Sequence, residues 1–332
     1  MMTVSKHRRI GSPDLDTSKL AFGMYRTNTK SEPLESMELV KAAYDKGINF
    51  FATSDNYGTE MLLGRAIQEF GIPKDKIAIA TMTGLPIIQR HQSEFEVNTS
   101  GKRIMAQAEK SRKLLGVDMI DLYQTHAHDS NTPMLEIITA MNELIDKKAI
   151  RNYGFSNYDT NNIIDAIRIC RENGFREPVS LQNWYNLMGW RNDDSIKTAM
   201  RSGMTLLAYS PLANGFLTRE SVQANRVLDK IPAEKNAIES VRLENDIRKE
   251  LRKLDDMAAN EGRNIQQLAL AWLISRKDTV PMIGAYSKEH LDDLLPSMDW
   301  EIRTEQLEFI EKVRGRVHEI YNGLVKAVNG TE

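Results

Sequence analysis

A tyrosine and a histidine are the residues of this sequence best suited to exchanging protons with a ligand. Tyr57 closes the stretch FATSDNY, and His126 closes the stretch IDLYQTH. A phenol and an imidazole can each give or take a proton, although in isolation a tyrosine is more often a packing residue and a histidine a hydrogen-bonded core residue. Hydroxyl and amide side chains close other apolar stretches, where they suit a polar ligand or a neighbouring backbone group: Ser156, Asn157, Gln182, Tyr209 and Ser210.

The sequence contains no group of residues with the spacing of metal ligands. His126 and His128 lie two apart at the end of a predicted strand, so their side chains point to opposite faces. Cys170 is the only cysteine, which excludes an internal disulfide and predicts a reducing, cytoplasmic location. We therefore predict that no metal is bound, and we interpret Cys170 as a small apolar packing residue on a helix.

Composition argues against two large classes of partner. The formal net charge is −2, which gives no electrostatic reason to expect nucleic acid or an anionic membrane. The first residues are basic but precede no apolar run, so no signal peptide is expected, and no stretch of about 18 apolar residues predicts a membrane span. A small molecule is the expected partner, and the sequence leaves the oligomeric state open.

The elements that must position these residues alternate between strands and helices. Apolar, β-branched runs predict eight strands: Lys19–Met24, Asn49–Ser54, Ile77–Thr83, Met119–His126, Ile150–Asn157, Val179–Tyr185, Met204–Leu212 and Thr279–Ala285. Eight strands separated by helices favour parallel βαβ units closed into a (β/α)8 TIM barrel, an α/β fold. An open doubly wound sheet is the alternative, and the lack of a GxGxxG after an early strand weighs against it.

Helical spacing of apolar residues predicts helices over 102–115, 134–147, 159–172, 243–260 and 264–276. An earlier apolar stripe contains Met37 and Val40 and ends before Gly47, where a helix stop is expected. We predict a single domain over 1–332, with added loops at 84–101 and 213–243 and a C-terminal helical tail from about 300. We interpret 213–243 as a lid over the carboxyl ends of the strands, with a passive insertion as the alternative.

Several motifs together resemble one enzyme family. GINFFATSDNYG, followed by LLGRAI, is similar to the second-strand signature of the aldo-keto reductases. IDLYQTH, IRNYGFSN, LQNWYNLM, LLAYSPLANGFLT and LALAWLI resemble further family segments in the expected order, and the resemblance runs from about residue 19 to 300. It implies a barrel enzyme that transfers a hydride between a nicotinamide cofactor, usually NADPH, and a carbonyl carbon.

The resemblance also implies a catalytic tetrad, of which two members are replaced. Tyr57 takes the position of the family's proton-donating tyrosine, and His126 that of its histidine. Ala52 stands at the aspartate position and Met82 at the lysine position. A phenol has a reference pKa near 10 and needs a neighbouring cation to become a good donor, so we expect reduced activity on ordinary aldehydes. Asp55 is expected to stabilise the turn rather than to replace the catalytic aspartate.

The same resemblance assigns a cofactor groove, with NADP(H) and possible NAD(H) as the ligands. Ser156, Asn157 and Gln182 would hold the carboxamide, and Tyr209 would stack on the nicotinamide. Tyr286 stands where the family has an arginine for the 2′-phosphate, so we expect weakened NADPH binding or little discrimination between NADPH and NADH. The full set of predicted cofactor-binding residues comprises Gly23, Met24, Ser156, Asn157, Gln182, Tyr209, Ser210, Leu212, Gly284, Ala285, Tyr286 and His290.

Three functions remain open from the sequence. The first is an oxidoreductase of the aldo-keto reductase type that reduces a carbonyl or an activated C=C bond, with Tyr57 and His126 as the remaining acid couple. The second is a lyase or isomerase that uses the same pocket without net redox change. The third is a catalytically silent protein that binds NADP(H).

Overall fold

Eight parallel strands close into a barrel, as the sequence predicts. The computed structural model describes residues 7–11, 15–25, 33–86, 96–189, 193–223 and 237–329. Around the barrel each strand pairs with its neighbour in chain order, and the last pairs with the first. The barrel strands are β3 Ala21–Gly23, β4 Phe50–Ala52, β5 Ala78–Thr83, β6 Ile120–Thr125, β7 Ile150–Ser156, β8 Ser180–Trp184, β9 Thr205–Tyr209 and β10 Thr279–Ile283.

The register of the first strands sets the position of the candidate site. Gly23 pairs with Ala52, and Ala52 pairs with Ala80, so the carboxyl ends of β3, β4 and β5 lie side by side. The predicted strands overrun the observed ones by up to three residues at an end, and Ser54 and His126 lie beyond the ends of β4 and β6. The side chains of these two residues contact each other at the rim of the barrel.

An antiparallel hairpin that the sequence analysis did not predict precedes the barrel. It consists of β1 His7–Ile10 and β2 Leu15–Ser18. Asn49, at the amino end of β4, accepts a hydrogen bond from Ser18 N and donates one to Asp16 O. The hairpin contributes two residues to the apolar cluster of the barrel interior, which comprises Ile10, Leu15, Ala21, Phe50, Ala52, Ala78, Ala80, Leu122, Leu207 and Val280. The hairpin therefore packs at the amino ends of the strands.

Helices follow the strands in the expected alternation. They are α1 Pro33–Asp45, α2 Glu60–Glu69, α3 Gly101–Leu115, α4 Met134–Asp146, α5 Thr160–Asn173, α6 Asp193–Arg201, α7 Arg219–Gln223, α8 Ala237–Asn260, α9 Ile265–Ile274, α10 Lys288–Leu294 and α11 Thr304–Asn329. After α1 the chain turns at Gly47 with φ of +90°, a conformation that favours glycine, as the predicted helix stop requires. None of the helices in the described ranges is long and apolar enough to span a membrane.

Contacts divide the chain into two compact units. The first comprises Met1–Trp184, Asn192–Tyr209 and Lys277–Asp292 and contains all the barrel strands. The second comprises Tyr185–Arg191, Ser210–Arg276 and Asp293–Glu332, with helices α7, α8, α9 and α11. The single domain over 1–332 stays a prediction.

The predicted added loops contain regular structure at their ends. Within 213–243, Ala213–Gly215 forms a 3-10 turn, α7 follows, and α8 already begins at Ala237, so this segment is not a continuous loop. Residues 224–236 of this segment and 87–95 of the loop at 84–101 lie outside the described residues. A lid role for 213–243 stays a prediction.

Candidate active site

A short turn carries Tyr57 to the rim of the barrel. After β4 the chain forms a 3-10 turn over Asp55–Tyr57, which Gly58 ends with φ of +72°. The Tyr57 ring is half-buried and lies 5.6 Å from the His126 ring, centroid to centroid, with an angle of 82° between the planes. The Tyr25 ring approaches Tyr57 from another side, at 5.0 Å. The structure thus brings the two predicted proton-exchanging residues into edge-to-face contact.

The backbone and one ring nitrogen of His126 are held by neighbouring strands. Its amide donates to Thr83 O at 2.7 Å, and its carbonyl accepts from Asn157 Nδ2 at 2.9 Å. Nδ1 lies 3.1 Å from Ser54 Oγ. The side chain is 8% exposed, and burial lowers the pKa of the imidazole to about 4. His126 is therefore neutral at pH 7, with one protonated ring nitrogen and one unprotonated.

The phenol of Tyr57 lies in an environment that disfavours its ionised form. Burial raises the pKa of Tyr57 above its ordinary value, and the neighbouring Tyr25, Tyr209 and Asp55 raise it further. Ala52 is 3% exposed and Met82 is 2% exposed, so these two side chains form an apolar wall near the phenol. The phenol keeps its proton at neutral pH and is a weak acid.

Asp55 contacts two other elements of the barrel. Its carboxylate accepts from Thr83 Oγ1 at 3.0 Å and faces Arg103 Nη2 of α3 at 3.3 Å. The backbone N–H of Asn56 also favours the ionised form of this carboxyl, and the predicted role of Asp55 in stabilising its turn stays a prediction. Burial raises the pKa of Asp55 to about 6, because it outweighs the hydrogen bond from Thr83 and the charge of Arg103.

The polar residues that end β7, β8 and β9 form one connected cluster. Ser156 Oγ donates to Gln182 O at 2.9 Å, and Asn157 Nδ2 donates to Ser156 Oγ at 3.1 Å. The hydroxyl of Tyr209 donates to Asn157 Oδ1 at 2.9 Å, and Asn157 adopts φ of +59°. We call Ser156, Asn157 and Gln182 the amide trio.

One atom of the amide trio has no hydrogen-bond partner among the described residues. It is Oε1 of Gln182, which is buried. A buried amide oxygen normally accepts a hydrogen bond, so this position suits the N–H of a ligand such as a primary carboxamide. The trio therefore fits the nicotinamide end of the predicted cofactor.

The remaining predicted cofactor residues lie in three places. Gly23 and Met24 end β3, where Met24 N donates to Ala52 O at 2.8 Å. Gly284, Ala285, Tyr286 and His290 follow β10; Tyr286 is 50% exposed, and its ring lies 4.2 Å from that of His290. Ser210 and Leu212 belong to the second unit, where Ser210 O accepts from Asn186 Nδ2 at 3.0 Å.

Near Tyr286, the charged side chains of Lys288 and Glu289 already interact with other residues of the protein. Lys288 Nζ lies 2.7 Å from Glu38 Oε2 in an exposed ion pair. The backbone N–H of His290 donates to Ser287 Oγ at 3.1 Å, and the carboxylate of Glu289 accepts from Ser287. Glu38 and Glu289 were not predicted from the sequence as neighbours of this segment. Both carboxylates add negative charge close to Tyr286, which disfavours a second anion there.

Three contributors to the site were given no role from the sequence: Ser54, Thr83 and Arg103. Ser54 and Thr83 carry a usable signal, since each is a polar residue at the carboxyl end of a predicted strand. Arg103 gave none, because it lies on a helix 48 positions after Asp55 and looks like any solvent-facing arginine. Among the described residues no group of three or more His, Cys, Asp or Glu side chains could hold a metal ion.

Comparison with known proteins extends these findings. A profile of the Aldo/keto reductase family matches residues 19–314. The chain is 24% identical to a versiconal hemiacetal acetate reductase of Aspergillus parasiticus over 92% of this chain and 96% of that protein. It is 26% identical to an aldo-keto reductase of Alternaria alternata over 92% and 90% of the respective chains.

Two solved structures share the fold. One is a glycerol dehydrogenase from Gluconobacter oxydans, with a TM-score of 0.81 at 22% identity over 95% of this chain and 96% of that one. The other is an aldo-keto reductase from Bacillus halodurans, with a TM-score of 0.74 at 24% identity over 93% and 96%. At these identities the likeness concerns the fold alone.

Proposed function

The chain belongs to the aldo/keto reductase family, and from this premise we propose that it interconverts a small carbonyl compound and its alcohol with a nicotinamide cofactor. The observation that carries the proposal is the edge-to-face pair of Tyr57 and His126, 5.6 Å apart, on the rim that also carries the amide trio. Asn157 joins the two groups directly, because its Nδ2 bonds both His126 O and Ser156 Oγ.

The amide trio would hold the carboxamide of the cofactor, and the ring of Tyr209 would lie against the nicotinamide. When bound, the cofactor supplies the hydride. Gln182 Oε1 offers the buried acceptor, and Ser156 and Asn157 supply the further polar groups. Tyr209 now bonds Asn157 Oδ1, so this contact must be exchanged for the ligand.

Tyr57 would serve the substrate oxygen as a neutral hydrogen-bond donor, and so would His126 whenever its ring proton lies on Nε2. The phenol O–H and an imidazole N–H can stabilise negative charge that develops on a carbonyl oxygen and can deliver a proton to it. Because the pKa of Tyr57 is raised, its phenol is a poorer proton source than that of an ordinary tyrosine. Ser54 engages Nδ1 of His126, so Nε2 is the nitrogen left for the substrate. We expect slow turnover of simple aldehydes for this reason.

We further propose that NADPH has no advantage over NADH. Tyr286 supplies no charge, Lys288 is paired with Glu38, and Glu289 adds a second carboxylate. Titration of both reduced cofactors against tryptophan fluorescence checks this, with dissociation constants expected within about tenfold of each other. A Tyr286→Arg variant should shift the preference toward NADPH, and a strong NADPH preference without that change would contradict the proposal.

The function is tested by mixing the protein with NADPH or NADH and a panel of aldehydes, ketones and enones. We expect slow oxidation of the reduced cofactor that depends on the carbonyl compound. Tyr57→Phe and His126→Gln should each lower the rate by about 10²-fold or more. His128→Gln is the matched control, because the His128 ring instead hydrogen-bonds Asn162 Nδ2 and makes an edge-to-face contact with Tyr158. If no carbonyl compound on the panel oxidises either cofactor, the redox proposal fails for that substrate class.

The apolar wall of Ala52 and Met82 favours one alternative. A neutral pocket suits a lyase or isomerase that needs no ionised helper, and such an enzyme would consume its substrate without added cofactor. Cofactor binding without turnover of any kind would instead indicate a silent NADP(H)-binding protein. Strict dependence on added nicotinamide, with one cofactor oxidised per substrate reduced, excludes both alternatives.

A further inference from the structure

The hydroxyl of Ser54 has three neighbours and only one proton. Ser54 is fully buried, and its Oγ lies 3.1 Å from His126 Nδ1, 3.3 Å from Met82 O and 3.4 Å from Asp55 Oδ1. Met82 O can only accept a hydrogen bond, whereas a carboxyl group accepts when ionised and donates when protonated. The protonation of Asp55 therefore affects what Ser54 can offer to His126.

The two oxygens of Asp55 have different surroundings. Oδ2 accepts from Thr83 Oγ1 of β5 and faces Arg103 Nη2 of α3, so this oxygen is committed to accepting. Oδ1 is the oxygen beside Ser54 and is the one that can carry a proton. The other ionisable groups that act on this carboxyl are Glu60 of α2, which disfavours its ionised form, Tyr57 of the same turn, and Tyr123 of β6. Burial places the pKa of Asp55 at about 6, within the range where enzymes work.

Each protonation state of Asp55 favours one tautomer of His126 when Ser54 donates to His126 or to Asp55 rather than to Met82 O. With Asp55 protonated, Oδ1–H donates to Ser54 Oγ and Ser54 donates to Nδ1, so the imidazole carries its proton on Nε2. With Asp55 ionised, Ser54 donates to the carboxylate in a charge-assisted hydrogen bond. The Nδ1–H of His126 then donates to Ser54 Oγ, and Nε2 presents a lone pair.

We propose that Asp55, Ser54 and His126 form a proton relay, which makes Nε2 of His126 a proton donor when Asp55 is protonated and a proton acceptor when it is ionised. The relay rests on the proposed oxidoreductase function. Within it, His126 is the catalytic residue, and Ser54 and Asp55 are positioning residues that act through it.

Every proton that the relay moves is accounted for in both carbonyl reduction and alcohol oxidation. In carbonyl reduction the Nε2–H bond breaks and an O–H bond forms on the substrate, while the proton of Ser54 moves to Nδ1 and that of Asp55 moves to Ser54 Oγ. Asp55 ends ionised, and the hydride comes from the nicotinamide cofactor of the proposed reaction. In alcohol oxidation the same protons move back. The 3.4 Å contact between Ser54 and Asp55 must tighten, as catalytic hydrogen bonds commonly do when substrate binds.

The tautomer of His126 can be measured without cofactor or substrate. In protein with 15N-labelled histidine, long-range proton–nitrogen spectra distinguish protonated from unprotonated ring nitrogens, and His126→Gln identifies the signals. Between pH 5 and 8 we expect the proton to move from Nε2 to Nδ1 with a midpoint near pH 6, matching the pKa of Asp55. A His126 whose tautomer is the same at pH 5 and pH 8 overturns the relay.

Two variants and a matched control sharpen the measurement. In Asp55→Asn the amide oxygen can keep the contacts of Oδ2, which leaves the NH2 group beside Ser54 as a permanent donor. This variant should hold His126 in the Nε2–H tautomer across the whole pH range, whereas Ser54→Ala should abolish the pH dependence. Asp121→Asn is the control, because Asp121 is another mostly buried carboxyl with a raised pKa but bonds Ile79 N and Arg151. A change of tautomer in Ser54→Ala that follows pH as in the wild type contradicts the relay.

The pH dependence of the rates of carbonyl reduction and alcohol oxidation is a second, separate test of the relay. Carbonyl reduction should fall about tenfold for each unit of pH above 6, while alcohol oxidation rises through the same range. Asp55→Asn should remove this step from the reduction profile, and Asp121→Asn should retain it. If the protein turns over substrate but the tautomer of His126 does not change with pH, the relay is wrong and the proposed function is retained. If the tautomer changes with pH but no substrate is turned over, the proposed function is wrong. If Ser54→Ala does not fold, Asp55→Asn carries the test.

Discussion

At the scale of single residues, the candidate site has an apolar wall at Ala52 and Met82, the two positions at which we propose that the family's aspartate and lysine are replaced. Ala52 belongs to the apolar cluster that fills the barrel interior, so the core here reaches the floor of the candidate site. An uncharged pair at these two positions is physically coherent, because either charge alone would be buried without compensation. Of the two proposed catalytic side chains, His126 is neutral at pH 7 and Tyr57 keeps its proton.

Introducing an aspartate at position 52 and a lysine at position 82 tests whether the other residues of the candidate site can support the proposed carbonyl reduction. Ala52→Asp or Met82→Lys alone should destabilise the protein by ~3 kcal/mol, since each introduces a buried unpaired charge. The double variant should recover part of that loss and should raise kcat for carbonyl reduction by about 100-fold, because an ammonium lowers the pKa of Tyr57. Thermal unfolding and steady-state kinetics of the three variants measure both effects. A folded double variant with no gain in kcat would mean that the pocket has diverged beyond these two positions.

His126 makes stability depend on pH in a direction that can be worked out. Its pKa is about 4 in the folded protein and about 6.5 when unfolded, so its contribution to stability is complete above pH 6.5 and is lost as the pH falls toward 4. The loss approaches ~3 kcal/mol. Asp55 acts oppositely, because its raised pKa makes its contribution largest below about pH 4 and smaller as the pH rises to 6. The free energy of unfolding of the wild type therefore depends on pH through two groups that act in opposite directions.

The variant His126→Gln separates the contribution of His126 to the pH dependence of stability from that of Asp55. Its free energy of unfolding, minus that of the wild type, should increase as the pH is lowered from 6.5 to 4, because the variant has no imidazole to protonate. Urea denaturation at several pH values gives the difference. A difference that stays constant over this range would show that burial does not depress the pKa of His126.

At the scale of elements, helices α2 and α3 show how closely the outer layer can pack. Gly64 of α2 faces the last turn of α3, where a Cβ would clash with Leu114 O and would lie 2.9 Å from the carbonyl carbon of Leu115. Only a residue without a side chain allows this approach. The glycine is thus required by contact rather than by its backbone angles.

Gly64→Ala should therefore lower the free energy of unfolding by about 2 kcal/mol, because backbone atoms cannot move aside as flexible side chains do. Gly315→Ala is the matched control: Gly315 also lies in a helix, α11, but a Cβ there would meet no atom within 4 Å. That change should stabilise the protein by about 0.5–1 kcal/mol. Equal effects of the two substitutions in thermal unfolding would rule out the close approach of α2 to α3.

The elements that could be predicted were those with a strong apolar signal. All eight barrel strands were found because they are buried on both faces, and α9 because every one of its residues is buried. The hairpin β1–β2 was missed since HRRI and LDTS are short and mostly polar. In the site, the nearness of Tyr57 and His126 followed from strand ends meeting at one rim. The Asp55–Arg103 contact did not, because it depends on a side chain reaching over from α3.

At the scale of the whole molecule, the barrel unit has two chemically distinct ends. The carboxyl ends of the strands carry the polar side chains of the candidate site, and the amino ends carry the hairpin with Ile10 and Leu15. Residues that stabilise the fold and residues of the candidate site thus lie at opposite ends of the barrel, as is usual for this fold. Changes at the hairpin should alter stability without altering substrate binding.

Ile10→Ala tests this separation. Ile10 is fully buried, so its truncation should destabilise the protein by ~2–4 kcal/mol while leaving KM within about twofold. Ile164→Ala on α5 is the matched control, because Ile164 is largely exposed and its loss should cost less than about 0.5 kcal/mol. A large rise in KM for Ile10→Ala, measured well below the unfolding temperature, would show that the two ends are coupled.

The unsatisfied oxygen of Gln182 has a consequence for how the protein meets its ligand. An amide acceptor buried without a hydrogen bond costs about 1–3 kcal/mol. We therefore expect a ligand that places an N–H group on Oε1 of Gln182 to bind more tightly than an otherwise similar ligand without that group, by up to roughly this amount. Discrimination between such ligands would then arise from an oxygen of the protein that must be paired, before any bond in the substrate changes.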